Sequence, residues 1–468
     1  MLFNSFTFLI FFPVVYALYL ATQRRLALQN AVLLAASYVF YGWWSLKFLG
    51  LLLVTTGLDW TLGRALGRID DPRARKTFVT ISICMNLGLL GFFKYHDFFA
   101  RALVDALARV GLTLSVPVLH VVLPVGISFY TFQSMGYVID VYRRTSPPVE
   151  KLFDFAVYVA FFPQLVAGPI ERAMHMVPQL TRPRVITPAL VHEGLQLMLW
   201  GFFKKLVVAD NLARIADPIF SAPRSSHGVD LLIGALAFTG QIYGDFSGYT
   251  DIARGVARML GIELMVNFRL PYFARNPRDF WARWHVSLST WLRDYLYVPL
   301  GGNRRRPGRM LVNLLITMLL GGLWHGAAWN FVIWGFFHGS WLVVHRLATS
   351  GEDRAPRSAL TQAGAIAGTF ALTVVGWVIF RAKTGADIAW ILTHWGFATS
   401  ASSSGLAWRL FVFWLPLVIV DAAQAASGDL LRLAKLRLAP RALVYASLFC
   451  GILAFGSRAG REFIYFQF

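Results

Sequence analysis

Cysteine is almost missing from this chain: only Cys84 and Cys450 occur in 468 residues, both inside apolar runs. Neither a disulfide framework nor a thiolate metal site can be built from them. Charge is scarce as well. Asp, Glu, Lys and Arg make up 15% of the residues, where about 25% is ordinary. The acidic sign is the scarcer, 24 residues against 44 Lys plus Arg. No P-loop, dinucleotide fingerprint, HExxH or G-x-S-x-G motif is present. Low-complexity tracts, internal repeats and N-x-[ST] sequons are also lacking. These absences exclude a disulfide-stapled, collagenous or disordered protein and make a soluble enzyme a poor fit.

What is there is apolar. The AVILMFWYC set makes up 57% of the chain and mean hydropathy is +0.55. The reading is an all-α polytopic membrane protein. Apolar runs at 6–21, 29–45, 48–63, 77–93, 116–142, 153–170, 190–208, 231–252, 310–345, 359–380, 410–420 and 442–455 give roughly 10–12 crossings, against about 20 apolar residues per span. No separate soluble domain interrupts them, so residues 1–468 read as one integral membrane domain. A net charge of +20 would suggest nucleic acid in a soluble protein. Here the basic residues sit in short loops, where they hold segments on the cytoplasmic side and meet anionic lipid, so no nucleic acid is expected. Arg24 and Arg25 follow the first run, Arg64, Arg68, Arg73, Arg75 and Lys76 the third, and Arg143 and Arg144 a later one. That pattern places these loops inside and the N-terminus outside. The first run has no basic residues before it and reads as an uncleaved helix.

Two regions depart from simple spans. Residues 276–300 carry Trp281, Trp284, Leu288, Trp291, Leu292 and Tyr295 at helical spacing, which predicts an aromatic amphipathic helix. Residues 310–345 would extend about 54 Å as one helix, against a hydrocarbon core of about 30 Å. That run must tilt, break or turn back, with Gly321-Gly322 and Gly326-Ala327 as the natural break points.

Chemistry must come from ionisable groups at membrane depth, which are costly there and point to function. His325, in LLGGLWHGAAWNF, is the first candidate. Gly321 and Gly322, one turn earlier, are expected to leave open space beside its ring, and a neutral imidazole can take a proton near pH 7. The plainer reading is a core histidine bonded to a neighbouring helix. His285, in RWHVSLSTW, is the second: it could orient substrate, bind the acyl donor or share a proton, or be an interfacial anchor. His338 and His345 lie on one helical face, and packing or hydrogen bonding is expected of His338. Asp245 and Asp251, in QIYGDFSGYTD, need partners, for which the arginines of 278–293 are the candidates. FPQLVAGPIER, residues 162–172, reads as a broken or re-entrant segment. Arg304, Arg305 and Arg306 could attract a phosphate-bearing donor or simply set topology. No metal site is expected.

Five stretches in order resemble the membrane-bound O-acyltransferase (MBOAT) family, and within it the bacterial branch that acetylates alginate and other exopolysaccharides. They are LPVGISFYTFQSMGYVIDVYR at 123–143, FFPQLVAGPIER at 161–172, YGDFSGYTDIA at 243–253, FWARWHVSLSTWLRDYLYVPLGGNR at 280–304 and TMLLGGLWHGAAW at 317–329, a motif core of about 123–345. The resemblance implies a bowl of transmembrane helices, with re-entrant ones, around a central tunnel. It implies that His325 matches the family's catalytic histidine and that His285 matches its second polar position. It further implies a cytosolic acetyl thioester donor, expected to be acetyl-CoA, no permanently bound cofactor, and a location in the bacterial inner membrane. A periplasmic SGNH-type acetyltransferase and polysaccharide export machinery are the implied partners. The chain closes on REFIYFQF, so a second catalytic component is expected on another chain. The acceptor could be an alginate-like polymer or cellulose. D-alanyl or peptidoglycan acyl transfer, and a transporter or flippase without covalent chemistry, are the alternatives.

Overall fold

A computed structural model describes residues 1–113, 116, 121–226, 228–304, 306–349, 358–457 and 463–464. Arg305 therefore lies outside the described residues, as do His120 and His227. All regular structure among the described residues is helical. The chain forms two compact units, one of Met1–Ile186 with 260–264 and 326–328, the other of the remaining residues.

The first unit contains α1 (Phe6–Ala21), α2 (Leu26–Gly42), α3 (Leu46–Arg68), α4 (Pro72–Leu90), which runs through a π-turn into α5 (His96–Arg109), and α6 (Ile127–Tyr142). Three short helices follow: α7 (Leu152–Ala160), α8 (Phe162–Leu165) and α9 (Ala173–Leu180). The break expected within FPQLVAGPIER is real, because α8 lasts four residues and extended chain follows it to α9. Every residue from Phe161 to Ile170 is buried, so the protein interior shields this irregular backbone. Asp59 on α3 is fully buried and accepts from Ser82 Oγ at 2.6 Å and Asn86 Nδ2 at 3.0 Å on α4. Arg75 turns out not to be a solvated loop charge. It is buried, donating to the Leu66, Ile69, Val141 and Tyr142 carbonyls and so closing the C-terminal ends of α3 and α6.

The second unit contains α10 (Pro188–Phe203), α11 (Asp210–Ser221), α12 (Val229–Met259), α13 (Pro277–Arg283), α14 (Val286–Leu292), α15 (Pro307–His325), α16 (Trp329–Ala348), α17 (Ala359–Arg381), α18 (Gly385–Thr393), α19 (Ser403–Ser427) and α20 (Leu438–Phe455). Glycines set its closest packing. Gly194 and Gly201 on α10 face Gly255 and Gly248 on α12, and a Cβ on Gly201 would stand 2.6 Å from the Gly248 carbonyl oxygen. The two helices therefore run antiparallel with backbones in contact, as small residues allow in membranes.

The run 310–345 turns back on itself. α15 ends at His325 and α16 starts at Trp329, so the break falls at Gly326-Ala327. Gly321-Gly322 stays helical instead. Gly322 lies against the Phe331 carbonyl and Gly335 against the Met318 carbonyl, which makes α15 and α16 a tight antiparallel hairpin.

Among the described residues, six helical stretches are long and apolar enough to cross a membrane: α3, α4 with α5, α15, α17, α19 and α20. α1 and α2 are apolar but shorter. Of the other apolar runs, that at 153–170 is broken and that at 190–208 carries buried charge, where α10 passes into a π-turn holding Lys204 and Lys205, while 117–120 of the run 116–142 lie outside the described residues.

Candidate active site

The helix expected over 276–300 is two short helices and a π-turn at Arg293–Tyr297, because the chain bends at His285. Its backbone there is left-handed, φ 44° and ψ 53°. Asn267 explains why such a residue is tolerated. Its main-chain carbonyl accepts from Val286 N–H at 2.9 Å. Its Oδ1 accepts from Ser287 N–H at 3.1 Å and Ser287 Oγ at 3.0 Å. The start of α14 is thus capped by a residue 20 positions away, not by its own N-cap side chain.

The same Oδ1 lies 3.2 Å from His285 Nδ1. A backbone N–H can only donate, so the atom facing Ser287 must be the amide oxygen. His285 Nδ1 therefore carries its proton, and in the neutral ring the lone pair sits on Nε2. His285 is fully buried, with Phe246 edge-on at 4.7 Å between ring centroids.

His325 ends α15 and is 4% exposed. The expected open space beside it is filled: Gly321 meets Leu292 and Gly322 meets α16 backbone. What surrounds the ring instead is aromatic. Trp334 lies at 5.0 Å, Trp324 at 5.1 Å and Phe380 at 5.5 Å. His285 is 6.4 Å away, centroid to centroid. Residues 40 apart in sequence therefore lie side by side in one buried ring cluster of the second unit.

His338 joins the same cluster. It is buried on α16, 4.6 Å from Trp334, 5.2 Å from Trp281 and stacked at 13° on Phe280. His345, near the end of α16, is partly exposed. Arg304 and Arg306 are exposed on the turn before α15, at its far end from His325. At about 1.5 Å per residue, the 19 residues of α15 separate them from the histidine by roughly 27 Å.

Asp245 and Asp251 find partners other than the arginines of 278–293. Lys205 Nζ lies 2.7 Å from Asp245 Oδ1 and 2.9 Å from Asp210 Oδ1. Lys204 Nζ lies 2.6 Å from Asp251 Oδ2 and 2.9 Å from Ser247 Oγ. Asp245 Oδ2 also accepts from Ile464 N–H at 2.6 Å. Two lysines inside an apolar run were a legible signal of such pairing. Asn267, a single Asn in MVNFRLP, offered none.

The membrane-bound O-acyltransferase family profile matches residues 148–381. The chain is 44% identical to the probable alginate O-acetylase AlgI of Azotobacter vinelandii over 392 residues, 83% of this chain and 77% of that one. It is 44% identical to the probable alginate O-acetylase AlgI of Pseudomonas aeruginosa over 83% of this chain and 74% of that one. It is 35% identical to the peptidoglycan O-acetyltransferase of Helicobacter pylori over 82% of this chain and 77% of that one. This multi-pass membrane protein, with its histidines gathered among aromatic rings, is an acyltransferase and belongs to the membrane-bound O-acyltransferase family.

Proposed function

We propose that this chain moves acetyl groups from a cytosolic thioester, acetyl-CoA, towards hydroxyls of an exported polysaccharide, with His325 as general base. The observation that carries the reading is the pairing of two buried imidazoles 6.4 Å apart, one of them fixed in a single tautomer by Asn267. His285 Nε2, bearing a lone pair, suits a hydroxyl proton and not a thioester carbonyl. It therefore orients the acceptor through a neighbouring hydroxyl while His325 removes the proton of the reacting one. The hydroxyl oxygen bonds to the acyl carbon, the C–S bond breaks, and the thiolate takes the proton back from the His325 imidazolium. Similarity to relatives named as probable alginate O-acetylases, over most of their length, supports a polysaccharide acceptor.

In this reading the protein lies in a bacterial inner membrane with its N-terminus periplasmic, following the loop arginines. A separate periplasmic acetyltransferase and the export machinery complete the pathway, and the hydroxyl next to His325 belongs to the polymer or to a relay on that partner. The test is to express wild type and His325→Ala at matched membrane levels in the native host and measure alkali-releasable acetate on the secreted polymer. General-base loss predicts a fall of about 10²–10⁴-fold with polymer still secreted. Unchanged acetate on every envelope polymer would reject the assignment. Peptidoglycan is the second acceptor to assay, because a peptidoglycan O-acetyltransferase is among the relatives. Loss of acetate from that fraction alone would move the acceptor there.

A further inference from the structure

Acyl transfer needs hydrogen-bond donors aimed at the carbonyl oxygen, where negative charge gathers as the hydroxyl attacks. Neither imidazole assigned above supplies one. His325 must begin neutral to act as the base, and the Nδ1 proton of His285 is already given to Asn267. The donors must come from elsewhere in the cluster.

Trp334 lies between two imidazoles, its ring 5.0 Å from His325 and 4.6 Å from His338. It is 1% exposed, and its indole N–H has no hydrogen-bond partner among the described residues. Trp281 is 5.7 Å from Trp334 and 5.2 Å from His338, and its indole N–H is likewise buried without a partner. So is Nδ1 of His338, which is itself 1% exposed. Buried polar groups are nearly always paired, and here three orphans sit on rings in mutual contact. Indole N–H can only donate, so what satisfies these groups must accept. The rings are also held in place. Phe280 stacks on His338, and Gly376 on α17 leaves space that its Nε2 edge fills, since a Cβ there would come within 2.9 Å of that atom. Trp334 and His338 are four residues apart and so share one face of α16.

We propose that the indole N–H groups of Trp334 and Trp281, with His338 Nδ1 carrying its proton, form the pocket that binds the carbonyl oxygen of the acyl donor. The inference rests on His325 being the base. As the hydroxyl oxygen bonds to the acyl carbon, the carbonyl π pair moves onto the oxygen held by these donors. Collapse re-forms the carbonyl and expels the thiolate, which takes its proton from His325.

Trp334→Phe keeps a ring and removes only the donor. In native membranes fed radiolabelled acetyl-CoA, kcat should fall about 10²–10³-fold with KM nearly unchanged. Trp281→Phe should act in the same direction, and His338→Asn, which keeps a polar atom near Nδ1, should retain more activity than His338→Leu. A binding assay with two inert donors covers loss by misfolding. Acetonyl-CoA carries a carbonyl oxygen one methylene beyond the sulfur, and S-isobutyl-CoA has the same shape with a methyl in its place. The wild type should prefer the ketone about tenfold or more, and Trp281→Phe or Trp334→Phe should erase the preference. Wild-type kcat in both tryptophan variants, or no ketone preference in the wild type, overturns the pocket. If His325→Ala is inactive in that case, the base assignment stands and only the pocket falls. If His325→Ala is active, the base assignment itself fails.

Discussion

Lys205 offers a severe test of how the second unit is held together. Its ammonium contacts two carboxylates, Asp245 at 2.7 Å and Asp210 at 2.9 Å, and all three side chains are no more than 4% exposed. Removing one partner of a buried pair typically costs about 3–5 kcal/mol, because the other charge stays buried without compensation. Lys205→Met takes the shared ammonium from both carboxylates, and Asp245 keeps the Ile464 N–H bond, so the upper end of that range is expected. Asp245→Asn should be far milder, about 1 kcal/mol, because Lys205 retains Asp210. Lys204→Met should fall between them. Its partner Asp251 is 17% exposed and keeps Arg254 at 3.2 Å. Lys205→Met with Asp245→Asn should be less damaged than the two single losses added together, since the residues share one network. The assay is the fraction of full-length protein that stays monodisperse in detergent after graded heating. The order Lys205→Met worst, Lys204→Met next and Asp245→Asn least is the prediction. A Lys205→Met protein as stable as the wild type, or Asp245→Asn as harmful, would falsify the account of this buried network.

Three further outcomes follow from particular contacts. Asn267→Leu removes the acceptor for Ser287 N–H and for His285 Nδ1, so α14 should lose about 1–3 kcal/mol of stability. Acetylation should drop more than Asn267→Ser allows, and equal activity in the two variants would show that the tautomer does not matter. Gly322→Ala places a Cβ against the Phe331 carbonyl and must open the α15–α16 hairpin, costing about 1–3 kcal/mol; an unshifted melting midpoint would contradict that contact. His175 Nδ1 lies 2.7 Å from Glu171 Oε2, and this hydrogen bond raises the imidazole pKa above its ordinary 6.5. A raised folded-state pKa contributes stability that is complete below 6.5 and lost as pH rises through the folded value. Wild-type stability should therefore decline across that window, and His175→Gln should flatten the decline.

The parts of the fold legible in the sequence were those encoded by composition and local pattern. Apolar runs separated by basic loops read as membrane helices, and the 36 residues of 310–345 were too long to be one helix. The position of the turn was not decidable between two glycine-containing pairs. Gly321-Gly322 was needed for close packing against α16, which a sequence does not distinguish from flexibility. The aromatic stripe at 281–295 suggested one helix because its spacing ignores a backbone bend. The bend at His285 is held by Asn267, a long-range contact without a local signature. The ion pairs failed for a similar reason. Arginines near 278–293 were closer to the eye, but Lys204 and Lys205 sit on a helix whose glycine seam brings it against α12.

The three imidazoles differ in what holds them, and that difference orders their roles. His285 is tied by Asn267 and can change tautomer only by breaking its Nδ1–H bond to the oxygen that also serves the α14 backbone. His338 is fixed by a stacked Phe280 and by the gap that Gly376 leaves on α17. His325 is packed by Trp324, Trp334 and Phe380, each at 77–84° to its plane. Aromatic rings attract a cation over their faces by about 0.5–2 kcal/mol, an interaction a neutral imidazole does not make. In the proposed role of general base, a ring that presents its face to His325 would stabilise the imidazolium formed when the hydroxyl proton is taken. Replacing Phe380 by Leu removes one such ring while keeping an apolar side chain. The expected result is a several-fold lower kcat with donor affinity kept, because the interaction lost belongs to the charged intermediate state. An equal rise in KM with unchanged kcat would place Phe380 in substrate packing and leave the imidazolium to some other group.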